Sequence, residues 1–146
     1  TNYNSHGKLF KNRAYFQAYI DGLNNEDQVV WAICHRDDGH IGNISLQEIS
    51  WINRHADFGM LIGDKRHWKK GVGYLALSQL FQHGFDKLNL GRIWCAVPEP
   101  NVGMRTLARK IGMVEEGRRR AHMYFNGELV DMIEFGILKH EFDPGK

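Results

Sequence analysis

The segment Trp68-Lys69-Lys70-Gly71-Val72-Gly73-Tyr74 decides the fold, because it lies between a predicted strand and a long amphipathic helix. Its two glycines, one residue apart, let backbone N–H groups converge in a concave turn without obstruction by Cβ atoms. At a helix N-terminus these donors and the helix dipole stabilise an anion, so the segment predicts a phosphate or pyrophosphate site. Residues 64–73 carry a charge of +3, whereas the whole chain carries +2 and its other 136 residues therefore −1.

Two better-known phosphate motifs do not fit this segment. A Rossmann turn requires a third glycine where Ala76 stands, and the form that tolerates alanine needs an acidic residue about 20 positions on, where Cys95 and Ala96 stand. A P-loop requires Gly-Lys-Ser/Thr, whereas Gly73 is followed by Tyr74-Leu75. Taken alone, the glycine pair is equally compatible with a tight turn beside solvated lysines.

Hydrophobic periodicity on both sides of the segment predicts a chain of mixed helices and strands. The predicted order is helix 16–23, strands 29–34, 43–47 and 56–62, helix 77–88, strand 93–97, helix 101–111, and strands 113–123 and 128–138. The continuous apolar run at 29–34 is typical of a buried strand. Asn101 is suited to cap the third helix, and Gly112 to end it. The order predicts an α/β (α+β) domain with a mixed sheet and helices on both faces.

Composition narrows the classes of function. A chain of 146 residues is expected to form one domain. It has no apolar stretch long enough to span a bilayer, so we expect no membrane partner. A net charge of +2 is too balanced to predict a nucleic-acid partner. Cys34 and Cys95 fall in apolar strand runs, where they are expected to act as small hydrophobic residues in a reducing, cytoplasmic compartment. The eight histidines show no spacing typical of metal ligands, so no metal site is expected.

Together with its neighbours, the glycine segment resembles the pyrophosphate signature Gln/Arg-x-x-Gly-x-Gly/Ala of the GNAT superfamily of acyl-CoA-dependent N-acetyltransferases. Trp68 occupies the Gln/Arg position, and an aromatic residue there resembles the branch of ribosomal-protein N-terminal and spermidine N-acetyltransferases. That branch also shows Arg-Ala-Glu-Phe/Leu-Gly, matched here by His55-Ala56-Asp57-Phe58-Gly59. Its Asn-to-Gly-Phe motif is matched over residues 101–113. The resemblance extends over roughly residues 8 to 140, with its motifs in order and at the expected spacing.

The resemblance implies the GNAT fold, in which two neighbouring strands splay apart and the pantetheine arm of acetyl-CoA fits the gap. The acetyl-CoA-binding residues that it implies are Met60, Leu61 and Ile62 for the pantetheine arm, Lys69, Lys70, Gly71, Val72, Gly73 and Tyr74 for the pyrophosphate, and Asn101 for the arm or the loop around it. Members of this branch usually begin with a strand and a helix before the segment that matches Lys8 to Leu23. We therefore expect residues 1–146 to be a single GNAT domain that lacks this first strand and helix.

The resemblance also implies a catalytic carboxylate. Asp57 stands where the branch commonly has Glu, and it is predicted to be a general base or an anion that binds the amine, with a bridging water because Asp is shorter. The alternative is an exposed or capped strand carboxylate. The positions of the family's frequent Tyr and Ser are Ala108 and Met104, so no dedicated general acid is identified. The hydroxyls that could substitute are those of Tyr74, Ser78 and Tyr124.

The resulting hypothesis is an N-acetyltransferase that moves the acetyl group of acetyl-CoA to a primary amine by direct attack in a ternary complex. The alternative, motivated by Ala108 and Met104, is a catalytically weak acyl-CoA-binding or sensor protein of the same fold. The acceptor stays open among a protein N-terminus, a polyamine, an aminosugar and an antibiotic amine. Candidate carboxylates for holding a polyamine are Glu48, Asp57 and Asp131. A homodimer is compatible with the family.

Overall fold

A computed structural model describes residues 13–22 and 26–145. Its helices and strands follow the predicted order, although the predicted helix end at Leu23 lies outside the described residues. The elements are α1 (Arg13–Asp21), β1 (Val29–His35), β2 (Gly39–Ser50), β3 (His55–Ile62), α2 (Val72–Asp86), β4 (Arg92–Pro98), α3 (Val102–Lys110), β5 (Val114–Phe125) and β6 (Glu128–Leu138). Short 3₁₀ turns occur at Lys65–His67 and Lys139–Glu141. No helix in the described ranges is long and apolar enough to cross a membrane.

The strands form one mixed sheet. Its six strands lie in the order β1-β2-β3-β4-β6-β5, and every neighbouring pair is antiparallel except β3 and β4. The parallel pair is short, since only residues 55–57 of β3 pair with residues 92–94 of β4. The predicted mixed, mostly antiparallel sheet is therefore confirmed.

Beyond their short parallel stretch, β3 and β4 diverge. Each strand stays fixed by its outer neighbour, because β3 pairs with β2 as far as Ile62 and β4 pairs with β6 as far as Pro98. A gap therefore opens between residues 58–62 and residues 95–98, and we call it the β3–β4 gap. It is the splay that the GNAT resemblance predicts.

The hydrophobic core lies between the sheet and helices α2 and α3. The buried positions of α2 are Leu77, Leu80, Phe81, Gly84 and Phe85, which is the spacing of one helix face. They pack against alternate residues of the central strands, and Phe81 meets Phe58 edge to face with 5.4 Å between ring centroids. Because α2 and α3 share this core, the expectation of helices on both faces of the sheet is supported for one face.

The prediction that the run 29–34 is a buried strand is wrong. β1 lies at an edge of the described sheet, where it pairs with β2 alone, and its burial alternates, with only Ile33 buried. The apolar run does not reveal this, because hydrophobicity on both faces of a strand does not require that both faces be covered. Cys34 is correspondingly exposed, contrary to expectation, whereas Cys95 is buried as predicted.

The turns that bound the central elements follow the sequence prediction. Asn101 caps α3 by accepting a hydrogen bond from the Met104 N–H at 3.1 Å, and Gly112 follows the helix with a φ of +101°. Asn126 and Gly127 form the turn between β5 and β6 with φ values of +50° and +82°, as the hairpin turns that favour Asn-Gly require. These caps and turns hold the ends of α3 and of the β5–β6 hairpin in place.

Candidate active site

The backbone of β3 forms one wall of the β3–β4 gap. Met60, Leu61 and Ile62 pair with Ile44, Asn43 and Gly42 of β2, and among the described residues none of them pairs with β4. In a strand, backbone N–H and C=O groups project to both sides, so the groups of this stretch that do not bond to β2 face the gap. This edge is suited to bind an extended ligand as an added strand.

The segment 68–74, which we call the phosphate loop, stands at the open end of this gap. Gly71 is the N-cap of α2, with a φ of +79° and no side-chain capping hydrogen bond. Lys69 also has a positive φ, +61°, so two left-handed residues shape the loop. Because the first backbone N–H groups of a helix have no acceptor within it, the start of α2 offers donors to an anion.

Contacts on both sides fix the position of the phosphate loop. The Trp68 indole N–H donates to the Ile62 carbonyl at 2.8 Å, which ties the loop to the end of β3. Gly73 lies so close to its neighbours that a Cβ there would approach Met60 Cε to 3.3 Å and Leu107 Cδ2 to 3.4 Å. The second glycine of the signature therefore allows α2 to begin directly against β3 and α3.

The cationic side chains around the phosphate loop differ in the contacts that they form within the protein. Arg66 is bound by Asp64 through two oxygens, the shorter distance being 2.6 Å, and these hydrogen bonds lower the pKa of Asp64 to about 2. Lys65 lies over the Trp68 ring at 5.7 Å from its centroid. Lys69 and Lys70 are exposed and form no ion pair in the described part of the chain. These two ammonium groups are therefore available to an anionic ligand.

Asp57 lies at the point where β3 and β4 separate. It pairs with Trp94 in the last residue pair of the parallel stretch, and it projects to the face of the sheet opposite the core. Its pKa is raised from 3.8 to about 7, chiefly because burial disfavours the charged form and secondly because the Glu48 carboxylate is near; a hydrogen bond from the Phe58 N–H opposes both effects. The carboxylate is therefore neither fully exposed nor neutralised by a cation, and its proton exchanges near neutral pH.

A cavity of about 250 Å³ opens on the same face of the sheet beside Trp94. The residues that line it are His55, Arg92, Trp94, Glu116, Arg119, Glu134 and Phe135. Its charges are balanced: Arg92 donates to Glu116 through both of its Nη atoms, and Arg119 Nη2 lies 2.7 Å from Glu134. His55 Nδ1 is buried and has no hydrogen-bond partner in the described part of the chain.

Sequence reasoning did not predict this cavity. Its residues come from four strands and from positions that are up to 80 residues apart, so no local motif contains them. The alternation along β4 is the sequence feature that indicates its position. Ile93, Cys95 and Val97 are buried in the core, so Trp94 projects to the opposite face of the sheet, where Asp57 lies.

The other predicted carboxylates differ in their surroundings. Asp131 lies 2.8 Å from Arg118 Nη1 and accepts a hydrogen bond from the Ala121 N–H at 2.8 Å, and these contacts lower its pKa. Glu48 is exposed, lies at an irregularity of β2 with a φ of +49°, and acts on Asp57 through its charge. Asp57 and Glu48 thus share one site, whereas Asp131 belongs to the β5–β6 hairpin.

The candidate general acids occupy three separate places. The Tyr74 ring lies under the Lys110 ammonium, at 4.9 Å from its centroid, and is packed against the core. Ser78 is half-buried on α2, and Tyr124 is exposed near the tip of the β5–β6 hairpin. Ala108 is fully buried, and Met104 packs against the core. The two positions where the family often has a hydroxyl therefore contribute packing here.

The sequence profile described as the acetyltransferase (GNAT) domain matches residues 2–114. The chain belongs to the GNAT acetyltransferase family. It is 33% identical over 110 residues to the Bacillus subtilis protein named "Putative ribosomal N-acetyltransferase YdaF", covering 75% of this chain and 60% of that one. It is 30% identical over 102 residues to a spermidine N(1)-acetyltransferase of Vibrio cholerae, covering 70% of this chain and 58% of that one.

This family member shares its fold with solved structures. A crystal structure of spermidine N-acetyltransferase from Vibrio cholerae in complex with CoA and spermine superimposes with a TM-score of 0.82 at 24% identity, over 90% of this chain and 78% of that one. The GNAT fold is therefore confirmed. The chain spans about three fifths of the length of these two relatives.

Proposed function

We propose that this GNAT domain is an N-acetyltransferase that moves the acetyl group of acetyl-CoA to a primary amine by direct attack in a ternary complex. The observation that carries the proposal is the position of Asp57, a carboxylate with a pKa near 7 at the point where β3 and β4 separate. A base whose pKa lies near the working pH is both deprotonated and able to accept a proton. Membership of the GNAT family supports the same reaction.

The cofactor site of this proposal follows the β3–β4 gap. The pantetheine arm would bond to the exposed backbone edge of Met60, Leu61 and Ile62. The pyrophosphate would be held by the amides of residues 69–74, with the Lys69 and Lys70 ammonium groups nearby. Asn101 uses its side-chain oxygen to cap α3, so its amide N–H groups are the atoms with which it would contact the arm or the adjacent loop.

The reaction needs one base and one route for the leaving group. The nitrogen of the acceptor amine attacks the carbonyl carbon of the thioester, and an amide C–N bond forms as the C–S bond breaks. Asp57 takes the proton that the nitrogen loses, directly or through one water. Coenzyme A leaves as a thiolate, which is protonated by solvent because the pKa of an ordinary thiol is about 8.5.

The alternative of a catalytically weak acyl-CoA-binding protein stands on one observation. Ala108 and Met104 place only apolar side chains where the family often has a hydroxyl. A thiolate can leave unassisted, so the absence of that hydroxyl slows the reaction without abolishing it. One measurement separates the two functions: the weak protein binds acetyl-CoA, but its thiol release stays at background with every amine.

The charges near Asp57 bear on the acceptor. A polyamine carries several positive charges and is best held by several unpaired carboxylates. In the cavity beside Trp94, both glutamates are paired with arginines, which leaves Asp57 and Glu48 as the acidic pair nearest the gap. We therefore expect the site to recognise one cationic amine at its reacting end rather than a chain of them.

The experiment is release of free coenzyme A thiol from acetyl-CoA with a panel of amines: a peptide with a free N-terminus, spermidine, an aminosugar and an aminoglycoside. The proposal expects turnover with at least one amine and a loss of roughly 10²–10⁴-fold in Asp57→Ala. Acetyl-CoA binding measured by calorimetry should be retained in that variant. Binding without turnover for every acceptor would support the sensor alternative, and unchanged turnover in Asp57→Ala would exclude Asp57 as the base.

A further inference from the structure

Three side chains able to bind a metal meet between the β1–β2 turn and the 3₁₀ turn at Lys65–His67. His67 Nε2 lies 2.8 Å from Asp38 Oδ2, and His35 Nδ1 lies 3.5 Å from the same oxygen. The three ligand atoms all lie within 4.8 Å of one another. The imidazole rings of His35 and His67 are 4.4 Å apart between centroids. Because His67 is about 30 positions from the other two, local spacing along the sequence does not reveal this group.

We propose that His35, Asp38 and His67 form a binding site for a divalent transition-metal ion, with Zn²⁺ as the ion that fits the donors best. Two imidazole nitrogens and one carboxylate oxygen are typical zinc ligands. Bonds of about 2.0–2.2 Å in tetrahedral geometry place the ligand atoms about 3.3 Å apart. Two of the separations, 2.8 and 3.5 Å, already approach this value. The third separation, between the ligand nitrogens of His35 and His67, is at most 4.8 Å, and a rotation of the His35 side chain, which is 36% exposed, would shorten it.

The ligand nitrogens of the cluster already form hydrogen bonds, and a metal ion would replace them. The Asp37 N–H donates to His35 Nδ1 at 3.2 Å, so this nitrogen presents a lone pair, which an ion would take over. His67 Nε2 shares a hydrogen bond with Asp38, and metal binding would release that proton to solvent. Because His67 is only 7% exposed, its ring is already held in place by packing.

Arg66 is the cation that competes with a metal for Asp38. Its Nη2 lies 3.6 Å from Asp38 Oδ1, but 2.6 Å from Asp64 Oδ2. Since Asp64 supplies Arg66 with its own counter-charge, Asp38 Oδ2 stays directed at the two histidines. The ion would therefore bind to Asp38 Oδ2, on the side of the carboxylate away from Arg66.

The cluster supplies three ligands, so a water would complete the tetrahedron, and its place indicates an ion that holds two segments together. His67 directly precedes Trp68, the first residue of the phosphate loop. A metal ion would therefore link the β1–β2 turn to the 3₁₀ turn that leads into this loop. Asp57 lies five residues before Ile62 on β3, or about 16 Å along the strand. The cluster is thus separate from the candidate base, and its test requires neither acetyl-CoA nor turnover.

The test is titration of the chelator-treated protein with Zn²⁺ by calorimetry, with the metal content measured after dialysis. We expect one ion per chain, and binding weakened by roughly tenfold or more in Asp38→Asn and in His67→Gln. The matched control is His122→Gln, which removes an exposed histidine of β5 and should leave the stoichiometry and affinity unchanged. Circular dichroism shows whether each variant is folded.

Two further variants keep the proposal open to contradiction. His35→Gln tests the cluster if substitution of the buried His67 prevents folding, since His35 is more exposed. Cys34→Ser removes the exposed thiol next to His35, and Zn²⁺ binding should persist in it. The proposal fails if the parent protein retains no stoichiometric Zn²⁺, if the cluster variants bind it as tightly as the parent, or if Cys34→Ser alone abolishes binding.

Discussion

At the residue scale, the candidate site depends on one carboxylate whose protonation is set by its surroundings. Asp57 is partly buried, and its charged form meets the Glu48 carboxylate, so its pKa is near 7 instead of near 4. A position on a strand does not by itself raise the pKa of a carboxylate, because a strand side chain that faces solvent keeps its hydration. The same property therefore predicts both a kinetic and a thermodynamic effect.

The kinetic effect is a pH dependence of acetyl transfer. With an amine acceptor in excess, kcat/KM should rise with pH and level off above an apparent pKa of about 7, as Asp57 loses its proton. Asp57→Asn should lower kcat/KM by roughly 10²–10⁴-fold and remove this inflection. Measuring the residual rate of the variant across the pH range checks the assignment, and an unchanged inflection near pH 7 in Asp57→Asn would assign it to another group.

The thermodynamic effect has the opposite dependence on pH. Below pH 3.8 both the folded and unfolded chains carry the Asp57 proton, and between 3.8 and about 7 only the unfolded chain loses it, so Asp57 makes stability fall as pH rises through this window. A shift of this size corresponds to about 4 kcal/mol, which partial exposure reduces to about 1–2 kcal/mol.

Asp57→Asn removes the loss of stability that ionisation of Asp57 causes. It should be more stable than the parent by about 1–2 kcal/mol at pH 8 and about equal to it at pH 4, as measured by urea denaturation. Asp86→Asn, at an exposed position on α2, is the control and should not show this pH-dependent gain. A gain that is equally large at pH 4 would mean that the substitution acts through packing rather than through ionisation.

At the element scale, the phosphate loop depends on a left-handed residue at the start of α2. Gly71 has a φ of +79° with open space around its Cα, so a side chain there meets no clash but strains the backbone. Gly71→Val should shift the amides of the loop and weaken acetyl-CoA binding by roughly tenfold or more, because a β-branched residue at positive φ costs about 1–3 kcal/mol.

Gly127→Val is the matched control for this substitution. Gly127 also has a positive φ, +82°, and no atom within 4 Å of an added Cβ, but it lies at the tip of the β5–β6 hairpin. It should lower stability to a similar extent and leave the dissociation constant of acetyl-CoA unchanged by calorimetry. Equal binding in both variants would argue against a role of the loop in binding the phosphates.

The elements also show how much could be predicted from sequence. Local signals were sufficient for the loop, the Asn101 cap and the Asn126-Gly127 turn, because each depends on residues that are near in the chain. They failed for β1, whose exposure depends on its place at the edge of the described sheet. The cavity beside Trp94 and the His35, Asp38 and His67 cluster escaped prediction for the same reason, since pairing of distant segments creates them.

At the scale of the whole molecule, the positive charge is concentrated at one end of α2. Residues 64–73 carry +3 and the other 136 residues −1, and the ion pair between Asp64 and Arg66 leaves Lys69 and Lys70 as exposed cations of the loop itself. A local field of this kind attracts an anionic ligand over about one Debye length, roughly 8 Å at physiological salt. The position of a lysine should therefore matter more for acetyl-CoA binding than its contribution to the net charge.

A pair of double variants with the same change in net charge tests this. Lys69→Gln/Lys70→Gln should raise the dissociation constant of acetyl-CoA by roughly tenfold at low salt and flatten its dependence on salt. Lys87→Gln/Lys139→Gln removes two exposed lysines beyond the far end of α2, a 15-residue helix about 22 Å long, and should change neither quantity. If both double variants weaken binding equally, the net charge of the chain attracts the ligand; if neither does, the backbone amides of the loop hold the phosphates without help from these lysines.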